Sequence, residues 1–445
     1  MKVNEVTEIN KTHDPQLRSW VPSANTPEHD FPIQNLPIGI FSLNGGAARA
    51  GIAIGDEILD LAACVEQGLF SGMALTAARA AGQPTLNAFM AQGKGASAAL
   101  RQAASDLLGT HRADDMKALN AQRPILVSAS QAQMHLPCYT RNYTDFLTSA
   151  YHTERHGRLK GLDVPLPPAF KSLPVAYHGR ASSICVSGTS VRRPWGQWRD
   201  SDGRVRFGPT EALDFELEMA AIVGQGNELG RPIKLDEARN HIFGYCLLND
   251  WSAKSIQWWE QVLGPFLGKS FGTLVSPWVV MEEALIPFRC QGPARGRDDP
   301  EALDHLSSPA NDRAGGLRVF LQASLLTAQM RAQQLGAERI AATRLSHLYW
   351  SFPQMLTHHA SNGCNLETGD LMGSGTISGP DDESMACLTE KTSAGKNALL
   401  LSNGEQRRWL EDDDEVILTA KAQCDGYVSI GFGECRGRIE GALPA

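Results

Sequence analysis

Several features that would place this 445-residue sequence in a specialised class of protein are missing. Its nine cysteines are scattered singly and none has CxxC spacing, so neither a zinc site nor a disulfide framework is predicted. No apolar run is long enough to cross a bilayer, and the first residues contain no apolar signal-peptide core. We therefore expect a protein of the reducing cytoplasm with no membrane partner.

An excess of basic residues is missing as well. The 41 Lys and Arg residues are outnumbered by 49 Asp and Glu residues, which gives a formal net charge of −8. Proteins that bind nucleic acids usually present a basic face, so no nucleic-acid partner is expected. A hydrophobic content of 42% and a charged content of 20% are typical of a soluble globular protein with a substantial core.

The pattern of secondary structure changes near residue 130. A polar, proline-containing segment at 1–35 is predicted to be an extended arm on the surface. It is followed by two strand-like runs and by an Ala- and Leu-rich stretch with helical spacing, at 38–42, 50–61 and 72–108. After about residue 136, short β-like runs between Gly and Pro turns predominate, with one predicted helix at 325–335 and a long surface loop at 291–316.

These runs show no regular alternation of strands and helices, which argues against a doubly wound parallel sheet. We therefore predict a mostly β fold of the α+β class. A small N-terminal β domain would occupy residues 1–130, and a larger β sandwich or roll would occupy residues 131–445.

An acidic strand is predicted between Leu213 and Gly224, where apolar and acidic residues alternate. In a strand, Glu216 and Glu218 point to the same face. Neighbouring carboxylates repel one another unless a cation lies between them, and a hard divalent ion such as Ca²⁺ or Mg²⁺ prefers several oxygen ligands. The alternative is an exposed strand face that carries two solvated glutamates.

Two aspartates could complete such an oxygen-ligand site. Asp250 follows the apolar run 244–248, and Asp145 lies between aromatic residues. A carboxylate at the end of a buried strand is costly to leave without a partner. His152, seven residues after Asp145, is a candidate general base for activating water, a role worth about 10²–10⁴ in rate. Capping aspartates and a surface histidine remain the alternatives, because sequence spacing does not show convergence.

Three further motifs are interpreted as unrelated to catalysis. Residues 268–272 match the GxSxG nucleophile elbow, but a β-like, proline-ended run follows where a helix is required, so Ser270 is not predicted to be a nucleophile. Residues 224–230 miss the dinucleotide-binding GxGxxG pattern by one position and predict a turn. The acidic run 411–415 is predicted to be a solvated hairpin tip.

Longer stretches resemble the fumarylacetoacetate hydrolase family, and together they extend over nearly the whole chain. The resembling stretches are 19–25, 30–33, 173–175, 177–183, 213–220, 241–244, 249–253, 264–273, 357–359, 362–366 and 375–380. The resemblance implies an SH3-like N-terminal domain, a C-terminal mixed β-sandwich roll and a homodimer.

The resemblance also implies metal-dependent hydrolysis of a carbon–carbon bond in a β-diketo acid. The first expectation is the conversion of fumarylacetoacetate to fumarate and acetoacetate in the catabolism of tyrosine, phenylalanine and homogentisate. An acylpyruvate hydrolase or decarboxylase of the wider superfamily is one alternative. A non-catalytic binding protein stabilised by its metal is another, although the presence of His152 and Glu390 argues against it.

Roles for individual residues also follow from the resemblance. The implied ligands of a catalytic Ca²⁺, or of Mg²⁺ or Mn²⁺ in its place, are Asp145, Glu216, Glu218 and Asp250. The implied general base is His152, which Glu390 orients, and the implied oxyanion donors are Lys254, Gln257 and Lys269. Lys269 and Thr273 correspond to a second, structural Mg²⁺ site. The implied substrate contacts are Tyr177, Gln257, Gln261 and Thr376, together with either Arg158 or Lys160.

Three positions depart from the family pattern. Leu147 stands where a Tyr usually follows the first Asp by two residues, and Gln261 replaces a substrate-binding Tyr. Lys254 replaces an oxyanion-hole Arg, which keeps the charge but loses the planar fork of donors. A shorter loop after the predicted base leaves Arg158 and Lys160 as alternatives. We therefore expect the family's metal chemistry with altered contacts to the substrate.

Overall fold

The computed structural model describes residues 8–444, so residues 1–7 and 445 lie outside the described part. The first residues, for which no signal peptide is predicted, and the beginning of the predicted arm therefore lie outside it. The described remainder of the arm is packed and not laid on the surface as predicted. Trp20 is buried, and its indole N–H donates to the carbonyl of Leu107 at 2.9 Å. Ile33 is buried in the same core as Trp20, and these two apolar side chains anchor the segment.

The N-terminal part combines a small antiparallel sheet with helices. The strands, in spatial order across the sheet, are Leu126–Ser128, Glu57–Asp60, Arg49–Ile54, Ile38–Leu43 and Ala132–His135. The α-helices are Leu61–Glu66, Gly72–Ala81, Asn87–Met90, Lys94–Leu108 and Ala113–Gln122. The predicted helical stretch 72–108 is confirmed, and so are the short strands before it. An SH3-like topology stays a prediction.

A mixed sheet forms the centre of the molecule. Its strands, in spatial order, are Val175–Gly179, Tyr143–Leu147, Leu371–Gly373, Leu217–Val223, Ile242–Asp250, Thr273–Val275 and Ile184–Val186, and Val280–Met281 pairs with the first half of Ile242–Asp250. The strands Leu217–Val223 and Ile242–Asp250 are buried along their whole length. Met219 and Leu247 point into one core while Ala220 and Leu248 point into the other, which includes the N-terminal helices. Both faces of the sheet are therefore covered.

A second sheet packs against this central one. Its strands, in spatial order, are Glu338–Arg344, Val319–Leu326, Glu415–Ala422, Ile430–Glu440 and Val191–Arg192. The two sheets are in close contact at Gly437, where a Cβ atom would lie 2.4 Å from Leu274 Cδ1 and 3.0 Å from Trp251 Cζ2. The resulting mixture of helices and curled sheets agrees with the predicted α+β class.

Two local predictions for this part of the chain are wrong. The helix predicted at 325–335 is the end of strand Val319–Leu326 followed by the short helix Ala328–Ala332, because the strand pairs along its length with Glu415–Ala422. The acidic run 411–415 is not fully solvated. Asp414 is completely buried and accepts hydrogen bonds from the Arg407 guanidinium at 2.9 and 3.0 Å.

The remaining elements are short strand pairs and helices. The strand pairs are Trp195–Arg199 with Val205–Pro209, Leu213–Asp214 with Ser252–Ala253, Arg289–Cys290 with Gly316–Leu317, and Leu399–Leu400 with Gln406–Arg407. The other α-helices are Ala150–Leu159, Leu235–His241, Lys254–Glu260, Pro309–Ala314, Phe352–Ala360 and Leu388–Lys391. Among residues 8–444, no helix combines the length and apolarity needed to span a membrane.

Arg101 joins the packed arm to helix Lys94–Leu108. Its side chain is fully buried, and its two terminal nitrogens donate to the carbonyls of Gln34 and Asn35. Replacement by Ala should lower the free energy of unfolding by about 3 kcal/mol or more, since charge-assisted hydrogen bonds contribute about 1.5–3 kcal/mol each. Urea unfolding followed by circular dichroism would measure the change.

Arg112→Ala is the matched control for this prediction. Arg112 forms a partly exposed ion pair with Asp106 at 3.4 Å, with side-chain exposures of 36% and 43%. Such pairs contribute about 0–1 kcal/mol, so this variant should unfold close to the wild-type midpoint. Equal effects of the two substitutions would contradict the role assigned to Arg101.

Candidate active site

Four buried carboxylates from the central sheet converge at one place. Asp145 comes from Tyr143–Leu147, Glu218 from Leu217–Val223 and Asp250 from the end of Ile242–Asp250. Glu216 lies just before Leu217–Val223. One oxygen of each carboxylate lies within 4.8 Å of one oxygen of every other. The convergence proposed for these residues is therefore present in the folded chain, and no solvated strand face remains as an alternative.

The acidic strand differs in one detail from its prediction. Phe215 and Glu216 interrupt it, which leaves Leu213–Asp214 and Leu217–Val223 as separate strands. The N–H of Glu216 donates to the side-chain oxygen of Asn249 at 3.0 Å instead of joining a ladder. Both glutamates still face the same site, as the period-2 pattern predicts.

A glycine between two of these strands makes room for the cluster. Gly373 lies opposite Asp145 on one side and opposite Ala220 on the other. A Cβ atom on Gly373 would lie 2.5 Å from an oxygen of Asp145 and 3.2 Å from an oxygen of Glu218. The two carboxylates therefore meet above a position that no larger residue could occupy.

Two buried lysines neutralise part of the negative charge. Lys254 Nζ lies 2.6 Å from Glu216 Oε1, and Lys269 Nζ bridges the other oxygen of Glu216 and Asp250 Oδ2, the latter at 2.8 Å. Burial alone would raise the pKa of Glu216, but the charges of Lys254 and Lys269 outweigh it and hold that pKa well below its usual value. Burial would lower the pKa of Lys269, but the surrounding carboxylates raise it.

Asp145 and Glu218 have no lysine partner among the described residues. Burial raises the pKa of both, and the charge of a neighbouring carboxylate, Asp250 for the first and Asp145 for the second, raises it further. The N–H of Gly375 donates to each of them, at 3.1 and 3.0 Å. Glu218 Oε1 is buried and has no hydrogen-bond partner anywhere in 8–444.

This donor set fits a hard divalent cation. All four side chains offer carboxylate oxygens, the ligands preferred by Ca²⁺ and Mg²⁺. Four carboxylates against two ammonium groups leave two formal negative charges, the charge that a divalent ion would balance. The partnerless oxygen of Glu218 points to the same conclusion, because a buried carboxylate oxygen needs a partner.

The second Mg²⁺ site, implied beside Lys269 and Thr273, stays a prediction. Thr273 donates its hydroxyl to Asp250 Oδ1 at 3.0 Å, and Lys269 contacts the other oxygen of Asp250. These contacts already use both Asp250 oxygens. Here the ammonium group of Lys269 supplies the positive charge.

A histidine–glutamate pair lies beside the carboxylate cluster. His152 is in the first turn of helix Ala150–Leu159, where the Ser149 hydroxyl accepts its backbone N–H at 3.2 Å. His152 Nδ1 is 2.8 Å from Glu390 Oε2. Arg155 also donates to Glu390, at 3.1 Å, and Ser378 donates its hydroxyl to the same carboxylate.

Glu390 is held ionised by these contacts. Burial opposes its ionisation, but the charges and hydrogen bonds of His152, Ser378 and Arg155 outweigh burial and lower the pKa of Glu390 to about 2. An ionised Glu390 fixes the ring of His152 and favours a proton on Nδ1. The other ring nitrogen is then able to accept a proton.

Asp145 and Glu216 of the cluster and His152 of the pair line one cavity of about 400 Å³. The predicted site residues along its wall are Asp145, His152, Lys160, Tyr177, Glu216, Lys254, Gln257, Gln261, Lys269 and Thr376. Gln257 Oε1 and Thr376 Oγ1 are buried and make no hydrogen bond within residues 8–444. Both are therefore available to a bound molecule. Tyr177 also lines the cavity but donates its hydroxyl to Asp250 at 2.6 Å.

The structure separates the two alternatives for a substrate-binding cation. Lys160 lines the cavity, and its Nζ donates to Gln261 Oε1 at 3.2 Å. Arg158 is not on the cavity wall and instead pairs with Glu154 at 2.6 Å, with its side chain 67% exposed. Lys160 is the better candidate.

Apolar side chains cover the part of the cavity wall around Leu147. The apolar residues of the wall are Phe146, Leu147, Leu162, Pro165, Pro167, Val175, Ala176, Leu263 and Pro265. Leu147 pairs across the sheet with Val175. The cavity thus has a charged end at the carboxylate cluster and an apolar stretch of wall beside it.

Sequence reasoning missed several residues that shape this site. Asn249, Gly373 and Ser378 act by contacting the predicted residues, and their own types carry no catalytic signal. Gly375 has φ +74°, and a Cβ there would lie 2.1 Å from the carbonyl oxygen of Phe146. Such a backbone position, which donates to two carboxylates, is visible only in the folded chain. Ser270, as predicted, lies in a turn that leads into strand Thr273–Val275 and not into a helix.

Comparisons with known proteins identify the family of this chain. Two family profiles match in succession, Fumarylacetoacetase N-terminal at residues 34–137 and Fumarylacetoacetate (FAA) hydrolase C-terminal at residues 137–440. The fumarylacetoacetase of Bos taurus is 45% identical over 430 residues, covering 96% of this chain and 99% of that protein. Those of Homo sapiens and Oryza sativa subsp. japonica are each 44% identical over 96% of this chain, covering 99% and 98% of the relative. This chain belongs to the fumarylacetoacetate hydrolase family.

Proposed function

We propose that this chain is a metal-dependent hydrolase that cleaves a carbon–carbon bond in fumarylacetoacetate to give fumarate and acetoacetate. The observation that carries the proposal is that His152, which contacts Glu390, lines the same cavity as Asp145 and Glu216 of the four-carboxylate cluster. Relatives named fumarylacetoacetase, aligned over 96% of the chain, support the choice of substrate. The test is hydrolysis of fumarylacetoacetate by the purified protein, compared with maleylacetoacetate and acylpyruvates, with and without a chelator.

The proposed reaction begins with a water molecule that gives a proton to His152. Glu390, ionised and 2.8 Å from Nδ1, stabilises the imidazolium that forms. The resulting hydroxide attacks one carbonyl carbon of the diketone and makes a tetrahedral oxyanion. The carbon–carbon bond between the two fragments then breaks, its electron pair passes to the enolate of acetoacetate, and His152 can return the proton to that fragment.

Three side chains are proposed to stabilise the oxyanion. Lys254 and Lys269 are held in place by Glu216, and Gln257 lies on the same cavity wall. Donors that are fixed before the reaction stabilise developing charge without reorganisation. Lys254 supplies charge without the planar fork of an arginine, so its contribution depends on its contact with Glu216.

The metal is proposed to be Ca²⁺, with Mg²⁺ or Mn²⁺ as alternatives, held by Asp145, Glu216, Glu218 and Asp250. When bound there, a divalent ion supplies Lewis-acid stabilisation of negative charge on the diketone oxygens. We further propose a homodimer that works in the cytoplasm in tyrosine and phenylalanine catabolism. The proposed domain boundary near residue 130 lies close to residue 137, where the two family profiles meet.

The metal site can be tested through Glu218, which has no lysine partner among the described residues. Glu218→Gln should abolish activity and remove the stabilisation that Ca²⁺ gives the wild type. Binding at 100-fold excess over the dissociation constant stabilises a fold by about 2.7 kcal/mol. In the metal-free state the variant should be at least as stable as the wild type, since it carries one buried like charge fewer. Thermal unfolding with Ca²⁺ and with a chelator measures both effects.

Glu154→Gln is the control for this experiment, because Glu154 pairs with Arg158 on the surface. It should keep both its activity and its response to Ca²⁺. If Glu218→Gln retained wild-type activity and metal content, the assignment of the four ligands would be wrong.

The general base can be tested against the rejected nucleophile. His152→Ala should fold, bind metal and lose about 10²–10⁴ in kcat, the usual contribution of a general base. Ser270→Ala should keep substantial activity, because Ser270 lies outside the cavity wall. Initial-rate kinetics with fumarylacetoacetate compare the two variants. If a serine-directed phosphonate labelled Ser270 and abolished activity, the nucleophile-elbow interpretation would be restored.

Leu147 is proposed to weaken the binding of a carboxylate end of the substrate. A hydrogen bond to a charged group contributes about 1.5–3 kcal/mol, so the missing phenolic hydroxyl corresponds to about tenfold or more in affinity. Leu147→Tyr should therefore raise kcat/KM for fumarylacetoacetate by about that factor. It should lower kcat/KM for any diketo acid with a less polar end that the wild type prefers.

Leu147→Phe is the matched control, because it adds the ring without the hydroxyl. It should not reproduce the gain. If neither variant improved on a wild type that already bound fumarylacetoacetate as tightly as its relatives do, the idea of altered specificity would fail.

A further inference from the structure

A second group of potential metal ligands lies behind the general base. His152 and His156 are four residues apart on helix Ala150–Leu159, and their rings lie with centroids 4.1 Å apart at an interplanar angle of 37°. Cys387 Sγ lies 3.9 Å from His156 Nε2. One ligand atom each of His152, His156 and Cys387 lies within 4.8 Å of the other two. Sequence spacing gave no warning of this group, because the cysteine is distant in the chain.

The chemistry of this group differs from that of the carboxylate cluster. Thiolate and imidazole ligands select Zn²⁺ and similar ions, whereas carboxylates suit Ca²⁺, Mg²⁺ and Mn²⁺. Two histidines at positions i and i+4 on one helix face are a recurrent arrangement in zinc sites. The two candidate sites would therefore select different classes of metal.

The distances are compatible with a tetrahedral ion. With Zn–S near 2.3 Å and Zn–N or Zn–O near 2.0–2.2 Å, neighbouring ligand atoms of such a site are about 3.6 Å apart. The separation between Cys387 Sγ and His156 Nε2 is 3.9 Å, and that between Cys387 Sγ and Glu390 Oε2 is 3.3 Å. Both values are close to the requirement, and Glu390 could serve as a fourth ligand.

We propose that His152, His156 and Cys387 form a binding site for a thiophilic divalent cation such as Zn²⁺, and that occupation of this site inhibits the hydrolase. Binding releases the thiol proton of Cys387 to solvent as the Zn–S bond forms. His152, once bound to the ion, is no longer free to accept a proton from water. The inhibitory consequence rests on the proposed function, whereas the binding site itself does not.

The charges around the group are balanced enough for a cation to enter. The positive charges of Arg155 and Lys254 repel an entering cation. Glu390 is ionised, and the Cys387 thiolate formed on binding adds a second negative charge. Access is through the cavity, since His152 and His156 both line its wall while Cys387 lies buried behind them.

Binding is tested on full-length protein saturated with Ca²⁺, so that the carboxylate site is filled. Titration calorimetry with Zn²⁺ should find one site per chain in the wild type. Co²⁺ bound in its place should show a thiolate-to-cobalt charge-transfer band in the near ultraviolet. Cys387→Ser should lose this band, and both Cys387→Ser and His156→Asn should bind Zn²⁺ at least about tenfold more weakly, since even outer-shell changes cost about 10–100-fold.

Cys138→Ser is the matched control, because Cys138 is equally buried but contacts Thr140 and the Gly369 carbonyl and no histidine. It should keep the cobalt band and the wild-type affinity for Zn²⁺. If Cys387→Ser failed to fold, His156→Asn would carry the test. A cobalt band that persisted in a folded Cys387→Ser variant, or was absent from the wild type, would overturn the proposal.

Inhibition provides a separate readout. Zn²⁺ should inhibit the wild type, and a tenfold increase in Ca²⁺ should not relieve the inhibition. The Zn²⁺ concentration that halves the rate should be at least about tenfold higher in His156→Asn than in the wild type, with each rate measured against the same protein's uninhibited rate. Relief by Ca²⁺ together with unchanged sensitivity of the variant would place Zn²⁺ at the carboxylates and contradict the inference. If the protein did not hydrolyse fumarylacetoacetate at all, the proposed function would fail while the calorimetry and cobalt spectra still decided the binding site.

Discussion

The electrostatic balance of four buried carboxylates is the constraint on which the rest of the structure depends. Charges of one sign cannot be removed from water together without compensation. Here Lys254 and Lys269 supply two positive charges from the helix and the turn that follow Asp250, and a divalent ion would supply the remainder. The compensation is uneven, because both lysines contact Glu216 and none contacts Glu218. The metal is therefore needed most at the Asp145–Glu218 side of the cluster.

The fold meets this constraint by burying the strands that carry the site. The strands Leu217–Val223 and Ile242–Asp250 are covered on both faces, so their ends lie in a region from which water is largely excluded. In such surroundings every charge interaction is stronger than in water. The same burial that makes Glu218 costly to leave without a partner would strengthen the proposed action of Lys254 and Lys269 as fixed donors to a developing oxyanion.

Local features of this chain were predictable from the sequence where the signal was periodic. The shared face of Glu216 and Glu218 follows from strand periodicity and is confirmed, as are the helices within 72–108. Non-local features were not predictable from periodicity, because Asp145 meets Glu218 across the strand Leu371–Gly373, more than 150 residues further along the chain. The predicted helix at 325–335 failed for a related reason. Pairing with Glu415–Ala422 outweighs local helical spacing, and burial alternates along Val319–Leu326 as in a strand.

Helix Ala150–Leu159 shows how one short element can connect the two kinds of metal chemistry. Its first turn presents His152 to the cavity, and its next turn presents Arg155 to Glu390 and His156 to Cys387. Glu390 links this helix to Cys387, since its carboxylate accepts hydrogen bonds from His152, Arg155 and the Cys387 thiol. Any ligand that draws Glu390 or His152 toward Cys387 would therefore weaken the arrangement that we propose activates water. On that proposal, access to His152, and not only the occupation of the carboxylate cluster, determines when the site is active.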